Sequence, residues 1–305
     1  MPNTWVAELA REHPTPAEER NDAVYHLSFR ALCSFLIAAA LSAPAAAGQA
    51  PCSAPSAECA VVGKWEISAS LGVGQRSNPV AGKSDIPLVV IPHISYYGKR
   101  FFLENLELGY TLHEGDANAF NLIAAPGYDR VFFYRNDLQN IFIAGGGPAS
   151  SGTAAPVPPS GQQEFPVRPR HTTWLAGPEW TFAYGSLTGQ LNALREITGE
   201  HNGYEVRGAV AAPLIHSKAS LVASAGFTWK SSEVVRYYYG VDQLYEPGPA
   251  FSPFVKLHYS LPLSDRWTVN AFAHYEHLAG AIANSPIVSE NHVTTVFAGA
   301  SFRIH

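Results

Sequence analysis

The chain has 305 residues, of which 15% are charged and 12% aromatic, with 25 Gly and 23 Pro; so many breakers suit short strands joined by turns better than a helical enzyme. A helical membrane protein would need several apolar runs of about 20 residues, and none occurs after the N-terminal region. A formal charge of −5 without a basic cluster offers no phosphate-tracking surface, which excludes nucleic acid as a partner.

The N-terminal region reads as an export signal set far into the chain. Arg30 precedes an apolar run from Ala31 to Leu41, too short for a transmembrane anchor, and Ala45-Ala46-Ala47 supplies a small-residue cleavage site after Ala47. The segment before it carries Glu8, Glu12, Glu18 and Glu19, unlike a signal n-region, which points to translation starting near Val24 or Leu27. Residues 1–47 are therefore expected to be extension and signal peptide, and residues 48–64 a periplasmic segment ahead of the first strand. Cys33 leaves with the signal, while Cys52 and Cys59 can pair in an oxidising compartment or stay as two thiols. No His lies near either, which disfavours zinc, and Gln49-Ala50-Pro51 does not resemble a lipobox.

From Trp65 the alternation begins. Trp65, Ile67, Ala69, Leu71 and Val73 alternate with Glu66, Ser68 and Ser70, and a period of two means a strand. Ile86 to Tyr96 holds Pro87 and Pro92 and is expected to kink or bulge. Phe101 to Leu112 reads as one strand that changes face near Glu104, and Phe120 to Tyr128 with Val131 to Tyr134 as a further pair. Gly145 to Arg170 has no period and many breakers, so it is expected to be a long rim loop rather than a domain linker, because similar strands resume at Thr173. Trp174, Ala176, Trp180, Phe182 and Tyr184 restore the apolar face, followed by strands near Leu187 to Ile197, Tyr204 to Leu214 and Leu221 to Trp229.

The last stretch is the most regular. Val255, Leu257, Tyr259 and Leu261 oppose Lys256, His258 and Ser260; Trp267, Val269, Ala271, Ala273 and Tyr275 oppose Thr268, Asn270, His274 and Glu276; Val296, Ala298, Ala300, Phe302 and Ile304 oppose Thr295, Gly299, Ser301 and Arg303. Phe254, Phe272 and Phe297 break the pattern. Alternation of this kind serves a soluble sandwich or an outer-membrane barrel with a polar lumen and aromatic girdles. The chain ends Phe-Arg-Ile-His, so Ile304 takes the lipid-facing place that a terminal aromatic often holds in such barrels.

YYYGV at Tyr237 to Val241, the turn from Tyr245 to Pro247, SPIV at Ser285 to Val288, LGVG at Leu71 to Gly74, IPHISYYGKRFFL from Ile91 to Leu103, and Gly177-Pro178 beside Trp180 together resemble the MipA/OmpV family of outer-membrane proteins, from about Trp65 to Ile304. The resemblance implies an all-β fold, a transmembrane antiparallel β-barrel over residues 65–305, in the cell outer membrane and in contact with its lipid, and the runs read along the chain amount to about twelve strands, with ten or fourteen as the other even counts. It further implies a structural, scaffolding role in peptidoglycan remodelling, with a lytic transglycosylase and a penicillin-binding protein as partners. The alternative is an outer-membrane channel or substrate-specific uptake pore.

Little in the sequence calls for catalysis. Lys256, His258, His274 and Glu276 are expected to face inward on neighbouring strands, and a His with a carboxylate is the minimum for general base work, yet polar lumens are ordinarily filled with such groups. GxSxG, P-loop and HExxH patterns are missing. Tyr237, Tyr238 and Tyr239 with Arg236 could bind a ligand, but an interfacial girdle at a strand end accounts for them more simply. The expectation is a protein that is not an enzyme, with no catalytic, cofactor or metal residues.

Overall fold

The alternating runs become strands of one closed antiparallel barrel. The computed structural model describes residues 62–134 and 169–304. The signal peptide, the acidic extension, Cys52, Cys59, His305 and nearly all of the 145–170 loop lie outside those residues.

In chain order the strands are β1 Trp65–Arg76, β2 Ile86–Tyr97, β3 Phe101–Glu104, β4 Glu107–Glu114, β5 Asn118–Pro126, β6 Trp174–Tyr184, β7 Leu187–Glu196, β8 Tyr204–His216, β9 Ser220–Lys230, β10 Ala250–Pro262, β11 Trp267–His277 and β12 His292–Arg303. Each pairs with its chain neighbours, and β1 closes on β12 over nine residue pairs from Ser68↔Arg303 to Arg76↔Thr295. Closure matters because an open edge in hydrocarbon would leave backbone groups without partners.

Which way each side chain points follows from the period of two. Leu71, Val73, Val89, Leu112, Val255, Leu257, Trp267, Tyr275 and Val296 are exposed on the outer wall, an apolar belt of the kind a bilayer covers. Aromatic pairs gather near the strand ends: Trp65 with Tyr96 at 5.0 Å, Trp267 with Phe302 at 4.9 Å, and Tyr275 with His292 at 5.5 Å between ring centroids. Phe254, Phe272 and Phe297, the three that break the alternation, face the lumen, where Phe272 stacks on Phe297 at 5.7 Å.

Three expectations need correction. Phe101 to Leu112 is not one strand but the β3–β4 hairpin, turned at Asn105, whose positive φ of 52° Asn tolerates better than most residues. As a result β2 pairs with β3 only from Ser95 to Tyr97, and among the described residues Ile86 to His93 are laddered to β1 alone. The bulge expected in β2 lies instead on β1, between Leu71 and Gly74, opposite an unbroken β2. Finally, Tyr128–Phe132 is a 3-10 turn, not part of a strand pair.

The two ends of the barrel differ. One carries the short turns at residues 98–100, 115–117, 185–186, 217–219 and 263–266. The other carries the 3-10 turn, helix α1 (Ser232–Tyr239) and helix α2 (Gly280–Ala283). Helix α1 follows Ser231 and stops at Gly240, and Val234, Val235, Tyr238 and Tyr239 are buried on its inner face at the spacing of an amphipathic helix. They share one apolar core with Val80, Phe132, Phe133, Val241, Leu278, Ile282 and Ile287. Each of Val234, Val235 and Ile282, taken fully from water, contributes about 1.5–3 kcal/mol, enough to hold a folded cap over this mouth.

Candidate functional site

The site is the lumen beneath that cap, and its walls are rows of paired residues. Ser224, Lys256, His274, Thr295 and Arg76 stand opposite one another across β9, β10, β11, β12 and β1. One step toward the turn end, His258, Phe272, Phe297, Gly74 and Leu88 form the next row. On the far wall Asn121, Glu179, Asn192, Arg207 and Thr228 are paired in the same way across β5 to β9. A polar ring therefore lies above a partly aromatic one.

The cap is fastened to this ring through the 3-10 turn. Its Tyr128 ring lies 4.8 Å from the Arg207 guanidinium, its Asp129 accepts from Lys230 Nζ at 2.6 Å on both carboxylate oxygens, and its Phe132 ring lies 4.8 Å from the Arg76 guanidinium. Five residues of turn thus meet three luminal cations. Burial alone would push the Asp129 carboxyl up, but the Lys230 charge and the hydrogen bonds from Lys230 and Tyr239 hold it below the usual carboxylate range. Burial, followed by the charge of Asp129, pushes the Tyr239 phenol well up, so it stays a donor.

Other contacts knit the cap together. Arg170 donates to the Tyr238 carbonyl through Nε at 3.0 Å and Nη2 at 2.6 Å and lies 4.4 Å over the Phe133 ring. Ser285 Oγ donates to the Tyr239 carbonyl at 2.6 Å, and Asn78 Nδ2 to the Phe132 carbonyl at 3.0 Å. The Tyr237–Tyr239 run is accordingly not an interfacial girdle: Tyr238 and Tyr239 are fully buried in the cap, and only Tyr237 reaches the surface, where it donates to Glu200 at 3.2 Å. The physical reason is that Ser231 ends β9 and starts a helix, which turns these rings inward over the mouth.

Two cavities lie among the described residues. One of about 470 Å3 lies directly beneath the cap, lined by Tyr128, Asp129, Phe132 and Tyr239 from above and by Arg76, Glu205, Arg207, Lys230, Lys256, His274 and Glu276 from the wall. The other, of about 620 Å3, runs to the turn end past Gly115, Asp116 and Ala117. Both are lined by Gln190, Ala209, Phe254 and Lys256, which is where they meet.

Of the four residues expected to face inward, Lys256, His274 and Glu276 line the cap cavity, and His258 sits one step below, opposite Phe272. Lys256 and His274 are direct cross-strand partners. The sequence reading missed Arg76, Glu205, Arg207 and Lys230. Alternation could have placed these four inside, since each shares the parity of a neighbouring luminal residue, but nothing local says that they converge. Among the described residues, no three His, Cys, Asp or Glu side chains are grouped to hold a metal.

The chain is similar to several known proteins. The family model for the MltA-interacting protein MipA matches residues 69–304. YiaT of Escherichia coli (strain K12) is 23% identical over 247 residues, covering 78% of this chain and 91% of that one. The MltA-interacting protein of the same strain is 22% identical over 252 residues, covering 79% and 90%. The outer membrane protein OmpV of Vibrio cholerae serotype O1 is 30% identical over 114 residues, 35% of this chain and 44% of that one. Among solved structures, a porin refined at 1.8 Å overlaps 79% of this chain and 100% of its own at 8% identity with a TM-score of 0.32.

Proposed function

Because the chain belongs to the MipA family of outer-membrane β-barrels, we propose that it is a structural protein of the cell envelope, a scaffold in peptidoglycan remodelling rather than an enzyme. The observation that carries this reading is the cap: loops with their own apolar core pack together at the loop end, which suits an anchor better than a wide water-filled pore. In such barrels short turns face the periplasm and long loops the exterior, so the periplasmic partner surface is the turn end. The name of the MltA-interacting relative supports a lytic transglycosylase as that partner.

Photocrosslinking in intact cells tests it. Crosslinkers at the exposed turn residues Lys99, Asp116, Lys218 and Asp265 should capture a lytic transglycosylase, and one at the exposed cap residue Gln243 should not. Capture of no peptidoglycan enzyme from any turn position would count against the scaffold.

A second reading, a substrate-specific uptake channel, is favoured by one observation: the two cavities meet at Lys256 along the barrel axis. Ion conductance of the purified protein in planar bilayers separates the two readings.

A further inference from the structure

We propose that the cavity beneath the cap is a binding site for a small organic anion that also carries a hydrogen-bond donor, entered from the turn end past Lys256. The charges around it are not all used by the protein. Lys230 is spent on Asp129 and Arg207 on Glu205, at 2.6 and 2.7 Å. By contrast, the side chains of Arg76, Lys256 and Glu276 make no hydrogen bond or ion pair with any described residue, although all three line the same cavity. Arg76 Nε is buried and unpartnered, and so is Oε1 of Glu205, a residue only 2% exposed. A buried polar atom left without a partner costs about 1–3 kcal/mol, more when charged, so this cavity is built to be filled by something polar.

The chemistry of the filler follows from the orphans. Two cations without a hydrogen-bonding partner among the described residues, Arg76 and Lys256, lie on one paired row with Thr295 and His274 between them, which is an anion's environment. The free oxygen of Glu205 calls for a donor, and Glu276 on the same cavity wall can accept a second, both supplied by an ammonium or hydroxyl on the same molecule. Phe254 and Phe272 give its carbon skeleton an apolar surface, with Lys256 5.5 Å from the Phe272 ring centre. About 470 Å3 is in the range of small-molecule sites. The cap packs its apolar core over the loop end of the cavity, whereas the second cavity is lined from the turn residues Gly115 to Ala117 as far as Lys256, so the approach is from the side on which the turns lie.

This inference is independent of the scaffold: binding to the purified barrel needs neither a partner protein nor conduction. The test uses the full chain folded in detergent, with closure of every variant verified by heat-modifiable migration on a gel. Glutamate (carboxylate with ammonium), glycerol 3-phosphate (phosphate with hydroxyls) and inorganic sulfate (an anion with no donor at neutral pH) are titrated calorimetrically, with glycerol as the uncharged control. The expected result is saturable binding of at least one organic anion and none of glycerol. Lys256→Met should weaken it at least tenfold, and Lys218→Met at the exposed turn should leave it unchanged. Glu276→Gln should weaken glutamate or glycerol 3-phosphate but not sulfate. Absence of saturable binding by both organic anions, or equal binding by wild type and a folded Arg76→Met/Lys256→Met double variant, would overturn the proposal. Tighter binding of sulfate than of either organic anion would overturn the donor requirement.

Discussion

Tyr239 donates its phenolic hydrogen to Asp129 Oδ1 at 2.6 Å, joining helix α1 to the 3-10 turn across 110 residues of sequence. The same carboxylate receives Lys230 from the barrel wall, so one buried acid ties two cap elements to the lumen. Removing the hydroxyl and removing the acid should therefore differ in cost. Tyr239→Phe loses one hydrogen bond to a charged group, about 1.5–3 kcal/mol. Asp129→Ala leaves Lys230 buried without its partner and should cost about 3–5 kcal/mol. Denaturant titration of the purified barrel checks the order; a Tyr239→Phe variant as stable as wild type would remove this bond from the cap's energetics.

The cap should loosen in acid in two stages. His201 is buried against Tyr237 and Tyr238, its Nδ1 accepts from the Gly203 amide at 3.0 Å, and burial, opposed by Glu196 and Glu205, sets its pKa below the ordinary 6.5. The unfolded cap then binds a proton that the folded cap resists, so this stabilisation is whole above 6.5 and is lost as pH falls through the lower folded value. Asp129 is likewise held below 3.8, and its contribution is lost only in stronger acid. Protease cutting within the cap should accelerate from pH 7 to 5 and again below pH 4. His201→Gln should abolish the first rise alone; a flat rate from pH 7 to 5 in wild type would contradict the assignment.

Adjacent residues on β11 should respond unequally to one charge. Ala271 shares the outer face with exposed Trp267 and Tyr275, while Asn270 faces the lumen and donates to Ser301 Oγ at 2.6 Å. Ala271→Arg should cost about 2–4 kcal/mol near the bilayer midplane. Asn270→Arg forfeits one neutral hydrogen bond, about 1 kcal/mol. Equal losses in lipid-refolding titrations would mean that the faces are reversed.

The seam of the barrel depends on glycine. Gly72 and Gly299 stand opposite each other on β1 and β12, and a Cβ at Gly72 would lie 2.3 Å from the Ala298 carbonyl oxygen and 2.6 Å from Gly299 Cα. Both contacts are with backbone that the ladder itself holds in place. Gly72→Val should weaken closure by at least the 1–3 kcal/mol typical of overpacking, seen as loss of the compact band before heating. Gly185→Ala, at a turn where a Cβ meets nothing within 4 Å, should keep that band at room temperature despite its strained positive φ.

What the sequence by itself determined is the wall of this protein. A period of two is a local property, so strands such as β1, β8, β10 and β11, and the inward aim of Lys256, His274 and Glu276, could be read from neighbouring letters alone. The count of twelve matches the barrel only because two misreadings offset each other: the β3–β4 hairpin read as one strand, and Val131 to Tyr134 read as a strand of its own.

The tertiary structure alone decided the cap and the cavity beneath it. Val131, Phe132, Tyr238 and Tyr239 are apolar and aromatic in a pattern that a strand end or a girdle would equally display; they become a core only because four loops meet over one mouth. Phe254, Phe272 and Phe297 looked like errors in alternation for the same reason. Each has a neighbouring strand, not a neighbouring residue, as its partner: Phe272 stacks on Phe297, and a Cβ at Gly226 would strike the Phe254 ring. The convergence of Arg76, Glu205, Lys256 and Glu276 depends on the stagger of one strand against the next around the ring, a quantity set by closure and absent from any single stretch of chain.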